Sequence, residues 1–431
     1  MSFRSQCRAC ARLGLAFAAT LLLNLSGPAT ARAQTEPPAL SLAEALARAS
    51  AADPTIAGSE ARLAAAEANL RQAGVRPNPT LGVDLENFAG TGAYSLLDRT
   101  EATLSYQQTL ERGGKREART GRARAEIEAA RLRRQVRTLD VLRDVQVAYA
   151  EAAAAEAELL ITEARLIAAH QAQADIDRRV KSARDPLFAG SRADMMTAQA
   201  EIARDQARDR ARNARAALAR FWSGQPDFRL ALEPFFDAKA PAVPATFTTP
   251  DFALLEAERD IALANIRVEQ ARAVPDPTLR AGVRYLGDGS NVAFVVGGTI
   301  PLRRNDTNRA AIERAQAERT AAEADIAAAR LTREREIAQL TARISSAAAE
   351  AERIRSEVIP PAIKSVEQVR EGFNRGGFQY LDVTEAERAL AEARARRVSV
   401  LRQYHIDQAA LDRLTGRHAG ISPSTSTAER R

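Results

Sequence analysis

The sequence repeats itself, and that duplication restricts its fold more than any other feature. Arg76-Pro77-Asn78-Pro79-Thr80-Leu81 returns as Val274-Pro275-Asp276-Pro277-Thr278-Leu279, 198 residues later. Each copy follows a helical stretch and precedes two alternating apolar segments and a very long helical stretch. The segment Asp194 to Gly224 has its counterpart from Asp382 to Gly416, with Leu218-x-Arg220-Phe221 echoed by Leu411-x-Arg413-Leu414. Repetition on this scale is architecture, so function belongs to the shape that the two halves build together.

Residues 122–185 contain neither Gly nor Pro. A continuous helix of that length would run roughly 95 Å, well beyond the diameter of a globular domain. Leu132, Val136, Leu139, Leu142, Val145 and Tyr149 step by three or four, an apolar stripe of coiled-coil type. The second half repeats this between Leu302 and Ile359, with Ile337, Leu340 and Ile344 on one face. Shorter helical stretches, Ser191 to Ser223 and Phe378 to Thr415, follow breaks at 185–190 and at Gly376-Gly377. This predicts two helical hairpins, at 115–223 and 305–415. Their abundant alanine lets backbones approach closely but supplies little for a thick core, so a thin-walled helical assembly is expected.

Between the helices each half carries two candidate strands. Leu81, Val83 and Leu85 alternate with Gly82, Asp84 and Glu86, and Ala102, Leu104, Tyr106 and Leu110 with Thr103, Ser105, Gln107 and Thr109. In the second half Leu279, Ala281, Val283 and Tyr285 alternate with Arg280, Gly282 and Arg284. Val292, Phe294, Val296 and Ile300 then alternate with smaller or polar neighbours. These runs, at about 79–88, 100–110, 277–286 and 291–302, have roughly the length of tilted membrane-spanning strands. Alternation alone is equally compatible with a soluble sheet packed on helices.

The N-terminus, together with the duplication and helices too long for one globule, decides between the two. Arg4, Arg8 and Arg12 precede an apolar run from Leu13 to Leu25, and Ala31-Arg32-Ala33 supplies a small-x-small cleavage site, so residues 1–33 read as a secretory signal. No later apolar run is long enough for a membrane helix, so entry into a membrane would be through strands. Four strands cannot close a barrel, and an open edge in lipid leaves backbone groups unsatisfied, so several chains must share one. Two chains would give an eight-stranded barrel filled by side chains; three would give twelve strands and room for water. Asp84, Glu86, Arg280 and Arg284, on the inward phase, favour the wet barrel and hence a homotrimer.

Loss of the four arginines in the signal lowers the formal charge from +7 to +3. The remaining arginines are interspersed with acids, as in Arg208-Asp209-Arg210, which leaves no basic block for nucleic acid. Cys7 and Cys10 both precede the apolar run, whereas a lipid-modified cysteine would follow it. A mature chain with no disulfide, thiolate metal site or lipid anchor is expected. Residues 225–250, with five prolines, read as a linker or equatorial segment between a first repeat (34–224) and a second (251–416), packed around the outside of the helical assembly. Residues 417–431, rich in Ser and Thr, read as a disordered tail.

The duplicated helix-strand-strand-helix plan, the Pro-x-Pro-Thr-Leu lead-ins to the strands, and Gly377-x-x-x-x-Asp382-Val383 opening the last long helix carry a resemblance. Over essentially the whole mature sequence the chain resembles the TolC-type outer-membrane efflux factor family. Leu110-Glu111-Arg112-Gly113-Gly114-Lys115-Arg116, with Arg119, resembles its branch of cobalt-zinc-cadmium and related heavy-metal exporters. The resemblance implies a mainly α fold with a transmembrane β-barrel portion: a trimeric twelve-stranded outer-membrane barrel continued by a long periplasmic α-helical barrel. It also implies a periplasmic adaptor and an inner-membrane, proton-driven pump as partners, with no cofactor.

In such a conduit the residues of interest form the periplasmic constriction. Asp382 and Glu385, three apart, share a helix face, and three copies would stack two acidic rings that attract cations. The resemblance implies a gate role for this pair, and a latch role for Asp194 at the matching position of the first half. Phe373 and Phe378 stand where a phenol and a basic side chain are expected to latch this end, so apolar contacts would hold the gate. From the residues alone, Asp382 and Asp194 read instead as helix N-terminal caps or dipole partners.

Other candidates carry less. His170, His405 and His418 lack ligand spacing, and Met195-Met196 reads as helix packing. Gly113-Gly114-Lys115-Arg116 lacks the phosphate-loop frame and reads as a strand-to-helix turn. Trp222, near Gly224, reads as an apolar anchor. No Ser/His/Asp, Cys/His or convergent carboxylate set supports an enzyme. The expected function is an outer-membrane efflux conduit for heavy-metal cations. A conduit for organic compounds or polypeptides stays open, as does a soluble periplasmic coiled-coil adaptor, although an adaptor should show one central hairpin beside a β-rich domain.

Overall fold

The structure is a computed structural model that describes residues 39–421 apart from 95, 96, 242–248, 290 and 303. The expected signal (1–33) and residues 422–431 of the expected tail lie outside the described residues.

Short polar side chains start the first helices. Ser41 Oγ accepts from the Glu44 amide at 3.3 Å and opens α1 (Leu42–Ala52). Asp53 accepts from the Thr55 amide at 2.7 Å, ahead of a proline at the first helical position, and opens α2 (Pro54–Ala73). Strands β1 (Thr80–Glu86) and β2 (Glu101–Thr109) follow, then α3 (Lys115–Lys181) and α4 (Leu187–Ala219). The second half gives α5 (Pro250–Arg272), β3 (Thr278–Leu286), β4 (Asn291–Thr299), α6 (Arg309–Arg353), α7 (Ile359–Arg375) and α8 (Tyr380–Thr415). Three helix starts differ from the expected ones: α4 begins at Leu187 rather than Ser191, α6 at Arg309 rather than residue 305, and α8 at Tyr380 rather than Phe378.

The 67 residues of α3 make a rod about 100 Å long. Its counterpart is interrupted. A π-helical turn, Ile354–Val358, separates α6 from α7, and the three pieces of 45, 5 and 17 residues match the length of α3. Pro360 and Pro361 lack the N–H groups that would bond the carbonyls of Ser356 and Glu357, so the ladder widens there.

The four strands form one antiparallel sheet in the order β1-β2-β3-β4, and the central β2–β3 pair joins the two halves. Below it α3 packs against α2, α4, α5 and α8. The apolar stripe is buried from Leu139 onward: Leu142, Val145 and Tyr149 pack with Leu46 of α1 and Leu218 of α4. In the second half Ile337, Leu340 and Ile344 pack with Tyr404 and Leu411.

The segment expected as a linker or equatorial element packs on the helices and contributes side chains to their core. Phe228, Leu230 and Phe235 are buried, and Leu230 bridges in parallel to Leu40. Tyr149 Oη donates to the Leu40 carbonyl at 3.0 Å and approaches that of Ala231 at 3.2 Å. Burial pushes its phenol up to about 12. The expected tail likewise stays ordered in turns through Ile421, which packs on the first core cluster.

The repeated Leu-x-Arg motif has diverged. Leu218 and Leu411 are both buried. Arg413 is clamped, its Nε donating to Asp140 at 2.7 Å and its two terminal nitrogens to Asp251 at 2.7 and 2.9 Å. It thereby ties α8 to α3 and α5, whereas Arg220 is exposed.

Candidate functional site

Strand register sorts the sheet into two chemically opposite faces. Leu81, Tyr106, Ala281 and Val296 form one cross-strand row; Val83, Leu104, Val283 and Phe294 form the next; Leu85, Ala102, Tyr285 and Val292 the third. This face points outward and is bare: Phe294 is 87% and Val296 84% exposed. A water-soluble sheet would not leave so large an apolar surface uncovered.

The opposite face is polar and ion-paired. Arg280 pairs with Asp84. Arg284 lies 2.9 Å from Glu86 and 2.7 Å from Glu101, and its Nε donates to Thr103 Oγ1 at 2.9 Å. The four charges expected to face inward therefore lie on one face in two ion-paired groups; Glu101 and Thr103 join the second without having been singled out in the sequence. Thr103 and Ser105 are buried while their neighbours Leu104 and Tyr106 are half exposed, so the sheet curls around its polar side. Small residues permit the curl: a Cβ on Gly282 would sit 2.6 Å from the Leu104 carbonyl.

The heavy-metal-branch motif acts as the joint between sheet and helices. Gly113 and Gly114 adopt positive φ, and α3 starts immediately after. Lys115 pairs with Asp276 at the lead-in of β3, while Arg119 pairs with Glu111 and donates to the carbonyls of Ala73 and Val75 at the end of α2.

At the far end of the hairpins the expected gate residues take different positions. Asp382 is exposed in the first turn of α8 and accepts from the Gln379 amide at 2.8 Å, half of a reciprocal capping box. Glu385 is exposed one turn on, 4.0 Å from Arg388. Asp194 does not cap α4: it lies two turns inside that helix and accepts from Gln173 Nε2 at 2.6 Å. Phe373 is buried with Ile176, Ala193 and Val383, joining the two hairpins. Phe378 is half exposed and its ring covers Gly372, where a Cβ would collide with it. Gly376 (φ 83°) ends α7, with Gly377 N–H bonding the Gly372 carbonyl at 2.8 Å, and Phe378 closes that turn over the helix.

Three groups at this end were not singled out in the sequence. Arg179 of α3 binds Asp185 through Nε (2.7 Å) and Nη2 (3.2 Å), donates to the Phe373 carbonyl at 3.1 Å, and lies 4.5 Å from the Phe373 ring centroid. It is a basic link between the first hairpin and the second. Tyr380, 6.3 Å from the Phe373 ring, supplies a phenol here; burial and the charge of Glu387 raise its pKa against the opposing charge of Arg192. The available signal was positional: Arg179 and Asp185 bracket the break between α3 and α4.

The remaining candidates do not converge. His170 approaches Glu201 (3.9 Å), His418 approaches Asp412 (3.5 Å) and His405 contacts the Phe235 carbonyl (2.9 Å). Met195 is exposed and Trp222 packs on Phe228. Among the described residues no helix is long and apolar enough to cross a membrane.

Comparison with known proteins agrees with this geometry. The sequence matches the family described as outer membrane efflux protein over residues 45–224 and 247–417. It is 29% identical over 389 residues to the cobalt-zinc-cadmium resistance protein CzcC of Cupriavidus metallidurans, covering 88% of this chain and 90% of that protein. It is 30% identical over 324 residues to the nickel-cobalt-cadmium resistance protein NccC of Alcaligenes xylosoxydans xylosoxydans, covering 72% and 70%. The crystal structure of the outer membrane protein VceC from Vibrio cholerae superposes with a TM-score of 0.68 at 21% identity, covering 87% of this chain and 96% of that one.

Proposed function

Because this chain belongs to the outer membrane efflux protein family and has the TolC-type fold, we propose that three copies close one twelve-stranded barrel in the outer membrane. The helices continue it into the periplasm as a tunnel, and the conduit passively passes heavy-metal cations. A periplasmic adaptor and an inner-membrane, proton-driven pump deliver them. The observation that carries this reading is the sheet, apolar outside, charged inside, with β1 and β4 as its two edge strands. An unpaired edge in hydrocarbon is costly, so β4 of one copy pairs with β1 of the next. Three copies leave the face of Arg280, Arg284 and their carboxylates around an aqueous lumen.

The cargo is supported by the relatives, which are named for resistance to cobalt, zinc, cadmium and nickel. Residues 1–33 serve export and are removed, with no lipid anchor on the mature chain. Asp382 and Glu385 form acidic rings at the helical end that favour cations. Asp194 of the first hairpin helps to latch the closed state, and Phe373 and Phe378, with Arg179, hold the ends together.

Planar-bilayer recording of the detergent-purified mature protein tests the conduit. Small cation-selective currents are expected, which grow or lose selectivity when Asp382→Ala is combined with Glu385→Ala. Unchanged currents would remove that pair from the gate. For the cargo, deletion of the gene should sensitise cells to these metals; altered tolerance to dyes or antibiotics alone would replace metal cations with organic compounds.

A further inference from the structure

A cleft of about 970 Å³ lies between the lead-in 75–79 and the β2–α3 junction, and conduction makes no use of it. Register places it. Gln108, on its wall, pairs with Leu279 and so lies on the outward face of the sheet; Leu110, also on the wall, follows two residues later. The cleft therefore opens at the helix-ward end of the apolar rows, where Leu81 and Tyr106 are exposed.

Its lining combines apolar groups, Val75, Pro77 and Leu110, with cations. Lys115 is neutralised by Asp276, and Glu111 by Arg119. Arg76 and Arg116 are exposed and have no ion-pair or hydrogen-bond partner among the described residues, against one uncommitted acid, Glu117. Arg116 also sits in the first turn of α3, where the helix dipole disfavours a cation. An apolar wall ending at two uncommitted guanidinium groups has the polarity of a lipid with an anionic headgroup. The acyl chains fit the rows above, and a phosphate fits the planar donors below.

We propose that this cleft binds the phosphate of an anionic phospholipid in the periplasmic leaflet of the outer membrane. This rests on the reading that the outward face of the sheet meets lipid. The two guanidinium groups then anchor the barrel vertically, at the level where strands give way to helices.

Native mass spectrometry of the mature protein from nanodiscs of phosphatidylethanolamine and phosphatidylglycerol in equal amounts reads this directly. The parent is expected to retain phosphatidylglycerol preferentially. Arg76→Gln with Arg116→Gln should lower that preference by about fivefold per arginine removed. Arg208→Gln with Arg212→Gln, the same charge change on α4, should leave it alone, and Arg76→Lys with Arg116→Lys should keep much of it. No preference in the parent, as when a neighbouring copy fills the cleft, overturns the proposal, and so does an equal loss from the α4 variant. In either case channel currents persist and the conduit reading stands. A protein that never enters the nanodiscs overturns both.

Discussion

Lys115 Nζ lies 2.5 Å from Asp276 Oδ2, joining the first residue of α3 to the lead-in of β3 across 161 positions of sequence. The same carboxylate accepts from the Arg112 amide at 2.9 Å, so one acid of the second repeat fixes the strand-to-helix turn of the first. Burial would raise its pKa, but the hydrogen bonds from Lys115 and the Arg112 amide, with the charges of Lys115 and Arg119, hold it below the usual carboxylate value. A depressed carboxyl contributes stability that is complete above its unfolded value, near pH 4, and is lost as pH falls through the lower folded one. Asp276→Asn should cost about 1–2 kcal/mol at neutral pH, partial exposure limiting the effect. It should also weaken the acid dependence. Thermal unfolding of the detergent-purified protein from neutral to acid pH measures both, and undiminished acid sensitivity in the variant would assign it to other groups.

Gly113 and Gly114 share a left-handed backbone, φ 69° and 71°, yet differ in what surrounds them. A Cβ on Gly113 would lie 2.5 Å from the Val274 side chain, while one on Gly114 would meet open space. Alanine at either position carries a backbone cost of about 1–2 kcal/mol. At Gly113 the collision adds about 1–3 kcal/mol. Gly113→Ala should therefore unfold well below Gly114→Ala in a thermal scan. Val274→Ala should recover part of the Gly113→Ala loss, since it removes the obstacle; strictly additive costs would clear Val274 of that role.

Arg179 predicts how the far end opens. Its guanidinium holds Asp185 in its own hairpin and the Phe373 carbonyl in the other. Arg179→Ala removes a charge-assisted tie, and if that tie is specific to the closed state its loss shifts the closed-to-open ratio by about 5- to 150-fold. A higher open probability in single-channel currents is expected from Arg179→Ala, with Arg179→Lys intermediate because lysine keeps the charge but not the fork. Currents identical to the parent's in both variants would make the contact a matter of hairpin stability alone.

The parts of this molecule that sequence exposes are those written in local patterns. Alternation over Leu81–Leu85 and Leu279–Tyr285 marks strands and their apolar face, because side chains change sides at every residue. The Gly- and Pro-free runs mark the long helices for the same local reason. Pro360-Pro361 shows the limit of that reading: a proline disturbs carbonyls four residues earlier, so the π turn falls inside a run that looks uninterrupted. Residues 225–250 carry prolines that suggest a linker, yet Phe228, Leu230 and Phe235 between them are core residues. At the helical end the decisive contacts join positions far apart. Nothing local to Arg179 says that it reaches Phe373, 194 positions away. Asp382 illustrates a different difficulty, since one carboxylate completes a capping box and stands where an acidic ring is proposed, and the sequence is compatible with both.

His405 supplies a pH dependence with a defined sign. Its Nε2 is 2.9 Å from the Phe235 carbonyl and its ring stacks on Phe235 with centroids 5.1 Å apart. Beside it Tyr404 Oη donates to the Lys239 carbonyl at 2.8 Å and accepts from the Lys239 amide at 3.1 Å, so the pair fastens residues 235–239 to α8. Burial lowers the His405 pKa, and the carbonyl contact opposes this only in part. The folded protein thus holds a neutral ring while the unfolded chain takes up a proton near pH 6.5. Stability from this contact is complete above that value and declines as pH falls below it, because the unfolded state then binds more protons. Protection factors across residues 233–241, which discount the slower intrinsic amide exchange at lower pH, should fall on mild acidification, and His405→Phe, which keeps a stacked ring without a titrating group, should remove that fall. Equal acid-driven loosening in His405→Phe would place the titrating group elsewhere and leave His405 as a packing residue.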